Sequence, residues 1–212
     1  GFGGHGFHRS SFYDDGSGFG GFGGFGGHRS AGFDQKGQDL NASVSVTFDE
    51  AAFGCDKRIT LQDQSGKAQT LEVHIPAGID SGKSIRLRGK GMPGTGKGGA
   101  GDLLLKVTVQ PKAGYERKGM DVYTTVSIPY TTAVFGGEAR VHTLYGDVMC
   151  KIKEGTQSGS KIRLRGKGIV SMKDANVHGD QYVTVQIQVP RHLNAEARQK
   201  LMEYKKAAAG GR

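Results

Sequence analysis

The chain has 212 residues and a formal net charge of +9 at pH 7, long enough for two small domains and basic enough to suit polyanions or acidic protein surfaces. No stretch approaches the roughly 18 consecutive apolar residues of a membrane span, and no signal-like hydrophobic run opens the chain. Cys55 and Cys150 stand far apart and outside any C-x-x-C pair; this spacing indicates neither a zinc site nor a disulfide framework, implies no metal or cofactor, and suits a reducing cytoplasm.

Residues 1–33 hold seven of the ten phenylalanines and thirteen of the 37 glycines, with no Leu, Ile or Val. Glycine raises the entropy cost of ordering, and phenylalanines separated by glycine have no periodic face to bury. The segment is therefore expected to be a disordered Gly/Phe-rich stretch. Its formal charges cancel, Arg9 and Arg29 against Asp14 and Asp15, so the whole excess falls on the remainder. The start at Gly1, inside low complexity and without Met, reads as a piece of something longer.

From residue 34 onward the aliphatic residues take over. Val44-Ser-Val-Thr-Phe48 alternates apolar and small polar residues, a half-buried strand, and Thr47 with Glu50 can form a capping box on one helical turn ending at Gly54. Ile59-Thr-Leu61 resumes the alternation, and Asp63-Gln-Ser-Gly66 turns the chain. Leu71, Val73 and Ile75 then face one way and Thr70, Glu72 and His74 the other, so His74 is expected at the surface. Pro76 to Gly82 breaks the sheet before Ile85-Arg-Leu-Arg88. The glycine run from Gly89 to Gly101 reads as a mobile loop, and Asp102 to Val109 as a strongly apolar strand closed by Pro111.

The peptide Ile85-Arg-Leu-Arg-Gly-Lys-Gly91 then returns unchanged as Ile162 to Gly168. Gly78 and Ser81-Gly82 match Gly155 and Ser158-Gly159; Gly101-Asp102 matches Gly179-Asp180; Ala52-Phe53-Gly54 answers Val134-Phe135-Gly136. The chain is a duplication, and each copy has the size of one small domain. In the second copy, Val122 to Ile128 and Ala139 to Thr143 are strands, and Val148, Cys150 and Ile152 share one face. Cys150 is thus expected to be a small buried hydrophobe. After Pro190 the period changes. Asn194 can cap a helix carrying a stripe of Leu193, Ala197, Leu201 and Tyr204, which a partner subunit would bury.

Ala77 to Ser84 satisfies a permissive phosphate-loop pattern, but Lys83-Ser84 leads into an alternating strand where that loop requires a helix N-terminus, and the second copy reads Gly159-Ser160-Lys161. No Ser/His/Asp grouping, paired-carboxylate motif or His/Cys cluster appears, so catalysis is not expected. Arg86, Arg88, Arg163 and Arg165 alternate with apolar residues as on a solvated sheet face; read together with the charge of +9, they leave DNA binding as the alternative function.

A Gly/Phe-rich segment, two copies of an I-x-x-G-x-x-S-G-x-x-I-R-L-R-G-K-G stretch and a terminal Leu-Asn-Ala-Glu helix together resemble the C-terminal part of DnaJ-type J-domain co-chaperones, the heat-shock 40 family. The resemblance covers nearly all of residues 1–206. It implies a mainly β fold: two tandem small β-sandwich domains with short helices, at 34–111 and 112–190, after the flexible segment 1–33 and before a dimerisation helix and tail at 191–212. Only the turn Asp63 to Gly66 stands where the family's zinc-binding insert with its C-x-x-C-x-G-x-G repeats would lie, which resembles the zinc-finger-free class, whose members include a curved-DNA-binding homologue. No His-Pro-Asp tripeptide occurs, so the J-domain is not expected within this chain.

The resemblance further implies a homodimer, located in the bacterial cytoplasm or nucleoid, that holds unfolded, extended hydrophobic polypeptides and delivers them to a heat-shock 70 (DnaK-type) chaperone. Matched strand by strand, the family's client pocket falls on Val44, Ile59, Leu61 and Leu105, with Ala42 at its rim. By alternation alone, the same side chains suit an ordinary sandwich core.

Overall fold

The computed structural model describes residues 34–62, 66 and 68–210; the Gly/Phe-rich segment 1–33 and most of the turn Asp63 to Gly66 lie outside the described residues. The described chain is mainly β, as the alternation implies. In the first copy, β1 (Leu40–Val46) leads into α1 (Phe48–Phe53), which has the expected capping box: Glu50 N donates to Thr47 Oγ1 and Thr47 N to the Glu50 carboxylate. β2 (Cys55–Gln62) and β3 (Ala68–Ile75) form an antiparallel hairpin, and β4 (Ser84–Leu87) and β5 (Leu103–Val109) follow.

β1 pairs with β5 in parallel, and β4 pairs with β5 antiparallel, giving the order β1-β5-β4. Parallel pairing needs a crossover between the two strands, and α1, the β2–β3 hairpin and β4 supply it. One face of each strand then meets in a shared core of Val44, Val46, Leu71, Val73, Ile75, Leu103, Leu105 and Val107. Full burial of such a side chain contributes about 1.5–3 kcal/mol.

The second copy repeats the plan. β7 (Asp121–Pro129), α2 (Tyr130–Phe135), β8 (Gly137–Thr143), β9 (Gly146–Ile152), β10 (Lys161–Leu164) and β11 (Gln181–Gln188) take the places of β1 to β5 and α1. β7 and β11 are parallel, β10 and β11 antiparallel, and β8 and β9 form the hairpin. Among the described residues, one strand has no counterpart: β6 (Glu116–Lys118) pairs along the outer edge of β7. Cys150 is buried and faces the core as expected, and His74 is exposed.

A further apolar cluster joins the copies, with Phe48 and Ala52 from the first packed against Val122 and Ile169 from the second, beside Tyr115 and Leu144. Arg117 straps this joint, donating to the carbonyls of Gly78 (2.8 Å) and Ile79 (2.7 Å) and pairing with Asp80 at 2.7 Å. Gly78 has φ +83°, and a Cβ built there would lie 2.1 Å from Val170 O, so only glycine fits.

The glycine run 89–101 differs from its expectation as a mobile loop. It is bonded to the segment before β1: Gln35 N donates to Thr95 O, Gly37 N to Gly99 O and Met92 N to Gln38 O. Cβ atoms at Gly98 and Gly101 would each lie 2.1 Å from the carbonyl oxygens of Gln35 and Gln38. The glycines there permit close backbone approach.

α3 (Ala195–Ala209) starts at the expected cap, with Ala197 N donating to Asn194 Oδ1 at 2.7 Å. None of its residues is buried. Among the described residues, no helix is long and apolar enough to cross a membrane.

Candidate functional site

The duplicated basic motif is a scaffold whose key acceptor is an aspartate. Asp102, with only 6% of its side chain exposed, accepts from Gly89 N at 2.9 Å, from Arg86 Nε at 2.7 Å and from Arg86 Nη2. Its own N–H donates to Asp39. Asp180 accepts from Gly166 N at 2.8 Å and Arg163 Nε at 2.6 Å, and its N–H donates to Asp121. The amide of Gly89 first, then the guanidinium of Arg86, hold the Asp102 carboxyl below its ordinary 3.8; Gly166 and Arg163 do the same for Asp180. The Ser-Gly pair also has a bonding role in each copy: Ser81 and Ser158 accept from Val109 N and Ile187 N, and Gly82 N and Gly159 N donate to Val107 O and Val185 O. Two of the four arginines that suggested a polyanion are thus committed to internal carboxylates.

What could bind a partner lies between β1 and β2. Among the described residues, β1 is paired only with β5 and β2 only with β3, so both present a free backbone edge. Lys57 of β2 crosses this gap at one end, donating to Ser45 O of β1 at 2.7 Å and pairing with Glu50 at 3.1 Å. Leu40 and Ala42 of β1 pack against the same apolar cluster as Ile59 and Leu61 of β2.

All five side chains expected at the pocket fall in one cluster. Leu105 is fully buried and Val44 retains 8% exposure, so both belong to the buried part of the cluster. Ala42, Ile59 and Leu61 are half-buried and pack against that cluster, with Leu40 among them. Every inward residue of β2, from Cys55 to Leu61, keeps some exposure. The alternation of β2 sets which side chains point inward, and the partial exposure of that face is a matter of tertiary packing.

The residues expected on the dimer stripe are also outward. Leu201 is 44% and Tyr204 55% exposed, Ala197 is half-buried, and the Tyr130 hydroxyl donates to that of Tyr204 at 3.4 Å. Leu193, 41% exposed, precedes the cap and so stands before the helix rather than on it. Burial raises the thiol pKa of Cys150 and is the main cause of the rise at Cys55; neither thiol is activated.

The family model of the DnaJ C-terminal domain matches residues 40–190, a span that takes in both copies and ends just before the α3 cap. The chain belongs to the DnaJ C-terminal domain family. It is 45% identical over 142 residues to the chaperone protein DnaJ of Lachnospira eligens, a match covering 67% of this chain and 38% of that protein. Over 145 residues it is 45% identical to the chaperone protein DnaJ of Burkholderia pseudomallei, covering 68% and 38% respectively; the Burkholderia thailandensis relative matches to the same extent. The matched region thus spans 38% of the length of these DnaJ relatives.

Proposed function

We propose that this chain is the client-holding part of a DnaJ-type co-chaperone: it binds extended, apolar segments of unfolded polypeptides in the β1–β2 groove and delivers them to a heat-shock 70 (DnaK-type) chaperone. The half-exposed apolar face of β2 beside two free strand edges carries this reading. Edge amides and carbonyls pair with any extended backbone, which gives tolerance of sequence, while Ala42, Ile59 and Leu61 over a floor of Val44 and Leu105 select large apolar side chains. Family membership and relatives named as chaperones support the same conclusion.

Residues 34–111 and 112–190 act as two domains in this reading, the first holding the client. β2 and β3 are joined through only five residues, with no C-x-x-C repeat between them, which supports the zinc-finger-free subtype. Stimulation of ATP hydrolysis belongs to a J-domain and not to these residues. Two protomers joined through α3 and Leu193 compensate for weak single-site binding by raising the effective concentration of the second site.

The test is fluorescence anisotropy of a labelled hydrophobic peptide titrated with the chain at low and high salt, with duplex DNA as a second probe. Peptide binding is expected to persist at high salt, since the groove is apolar, whereas a phosphate-driven complex would weaken steeply. Leu61→Ser should weaken peptide binding while leaving thermal unfolding nearly unchanged. No peptide binding at either salt would refute the proposal.

A further inference from the structure

The two copies can be compared position by position at the groove. Counting from Gly54 and Gly136 sets Thr60 against His142 and Leu61 against Thr143. Counting from the Gly-Asp pairs sets Leu103 against Gln181, and the strand registers set Ala42, opposite Leu105, against Thr124, opposite Val183. Three apolar positions of the first copy are therefore polar in the second.

Two of those polar groups are bonded to each other within the sheet, and one of them reaches across the gap. Gln181 is fully buried, and its Nε2 donates both to Thr124 Oγ1 of β7 and to the backbone carbonyl of His142 on β8, each at 2.9 Å. That carbonyl lies on the outer edge of β8, the edge that in β2 stands free. Thr143 turns its hydroxyl into its own hairpin, donating to Gly146 O at 2.6 Å. The inner side chains of β8, Ala139, Val141 and Thr143, are all buried, whereas the corresponding Lys57, Ile59 and Leu61 of β2 are all half-exposed. Val126 on β7 keeps some exposure, so what differs in the second copy is the polar rim and the occupied His142 carbonyl, not every trace of a gap. Gln181 Oε1 is buried without a partner, an unfavourable arrangement that the two Nε2 bonds hold in place.

We propose that Gln181 is a specificity-determining residue that bolts the second groove shut, so that client binding belongs to the first copy alone. This deepens the client-holding reading and rests on it. Gln181→Leu removes the bond across the gap to the His142 carbonyl, which it frees, and the bond to Thr124 within the β11–β7 sheet. Thr124→Ala and Thr143→Leu restore the apolar walls of the first copy.

The experiment uses a fluorescein-labelled, photo-crosslinkable peptide of alternating leucines on the whole chain, with binding stoichiometry and crosslink positions read together. In the wild type, one peptide per chain and crosslinks confined to β1 and β2 are expected. In Gln181→Leu/Thr124→Ala/Thr143→Leu, stoichiometry should rise to two per chain, with new crosslinks on β7 and β8. Adding Leu61→Ser should then leave the second-copy crosslinks in place.

Crosslinks on β7 or β8 in the wild type overturn the proposal whether or not the variant folds. A triple variant with a cooperative unfolding transition that still binds one peptide overturns it while leaving the client reading intact. Absence of any binding in the wild type removes both. Gln181→Met, which keeps length and apolar character, serves as the milder variant and is expected to add weak second-copy crosslinks.

Discussion

The two copies share their scaffold almost bond for bond, yet they use it differently. Asp102 and Asp180 gather the same glycine amide and arginine, and Ser81 and Ser158 accept from the same place on the last strand. The differences lie at the edges. Among the described residues, the first copy leaves an edge of β1 and of β2 without a strand partner, bridged by Lys57, while the second covers the start of the outer edge of β7 with β6 and ties β8 to the opposing sheet through Gln181. Gly78 packs against Val170 of the other copy, whereas its counterpart Gly155 has nothing within 4 Å of a built Cβ. Duplication thus preserved the bonds that make each fold, and function diverged where strand edges and turns face outward.

The strongest way to break this comparison is at the groove floor. Leu105→Ala should destabilise the protein by about 2–5 kcal/mol in urea unfolding, as expected for a fully buried leucine. A small loss accompanied by a large loss of peptide affinity would make Leu105 part of the accessible pocket wall.

The paired glycines sharpen it next. Both have positive φ, so alanine at either costs about 1–2 kcal/mol from the backbone alone. Gly78→Ala should cost clearly more than Gly155→Ala in parallel melts, because its Cβ meets Val170 O. Equal losses would mean that the joint yields easily.

Arg117→Met tests the same joint from the other side. It leaves the carbonyls of Gly78 and Ile79 without their guanidinium donors and should cost about 1–3 kcal/mol. Peptide binding to the first copy should survive, since Arg117 does not line the groove.

Acid titration compares the two aspartate latches. Both carboxyls titrate below 3.8 when folded, so each contributes stability that is present above that value and is lost as pH falls through the lower, folded value. Calorimetry should show the wild type losing melting temperature below pH 3.8, and Asp102→Asn/Asp180→Asn should be flatter there and less stable at pH 7. The smallest effect on unfolding is expected from deleting residues 191–212, because α3 buries none of its residues in this chain. Sedimentation should then report a monomer, and a surviving dimer would remove the helix from the assembly.

Much of the fold was legible. Period-two alternation placed Leu71, Val73 and Ile75 inward and His74 outward; Thr47 with Glu50, and Asn194, marked helix starts; and Cys150 fell on the inner face. The five groove residues follow from the family resemblance, while alternation alone suits them equally to a sandwich core. Asp102 and Asp180 were visible as repeated letters, but their acceptor role was not, since the arginine partners lie 16 and 17 residues away. The glycine loop was misjudged as mobile because composition records conformational freedom and not the backbone that the glycines allow to come close.

The sequence by itself determined the duplication, the strands and the side of each strand that is apolar, because these follow from local spacing and from the repeat of whole peptides. Only the tertiary structure decided which apolar face is covered. β2 and β8 have similar inward residues at Ile59 and Val141, yet one remains half-open and the other is buried. Exposure depends on what the opposing layer places against each face, and that involves bonds between residues distant in the chain, Gln181 to the His142 carbonyl in one copy and Lys57 to the Ser45 carbonyl in the other.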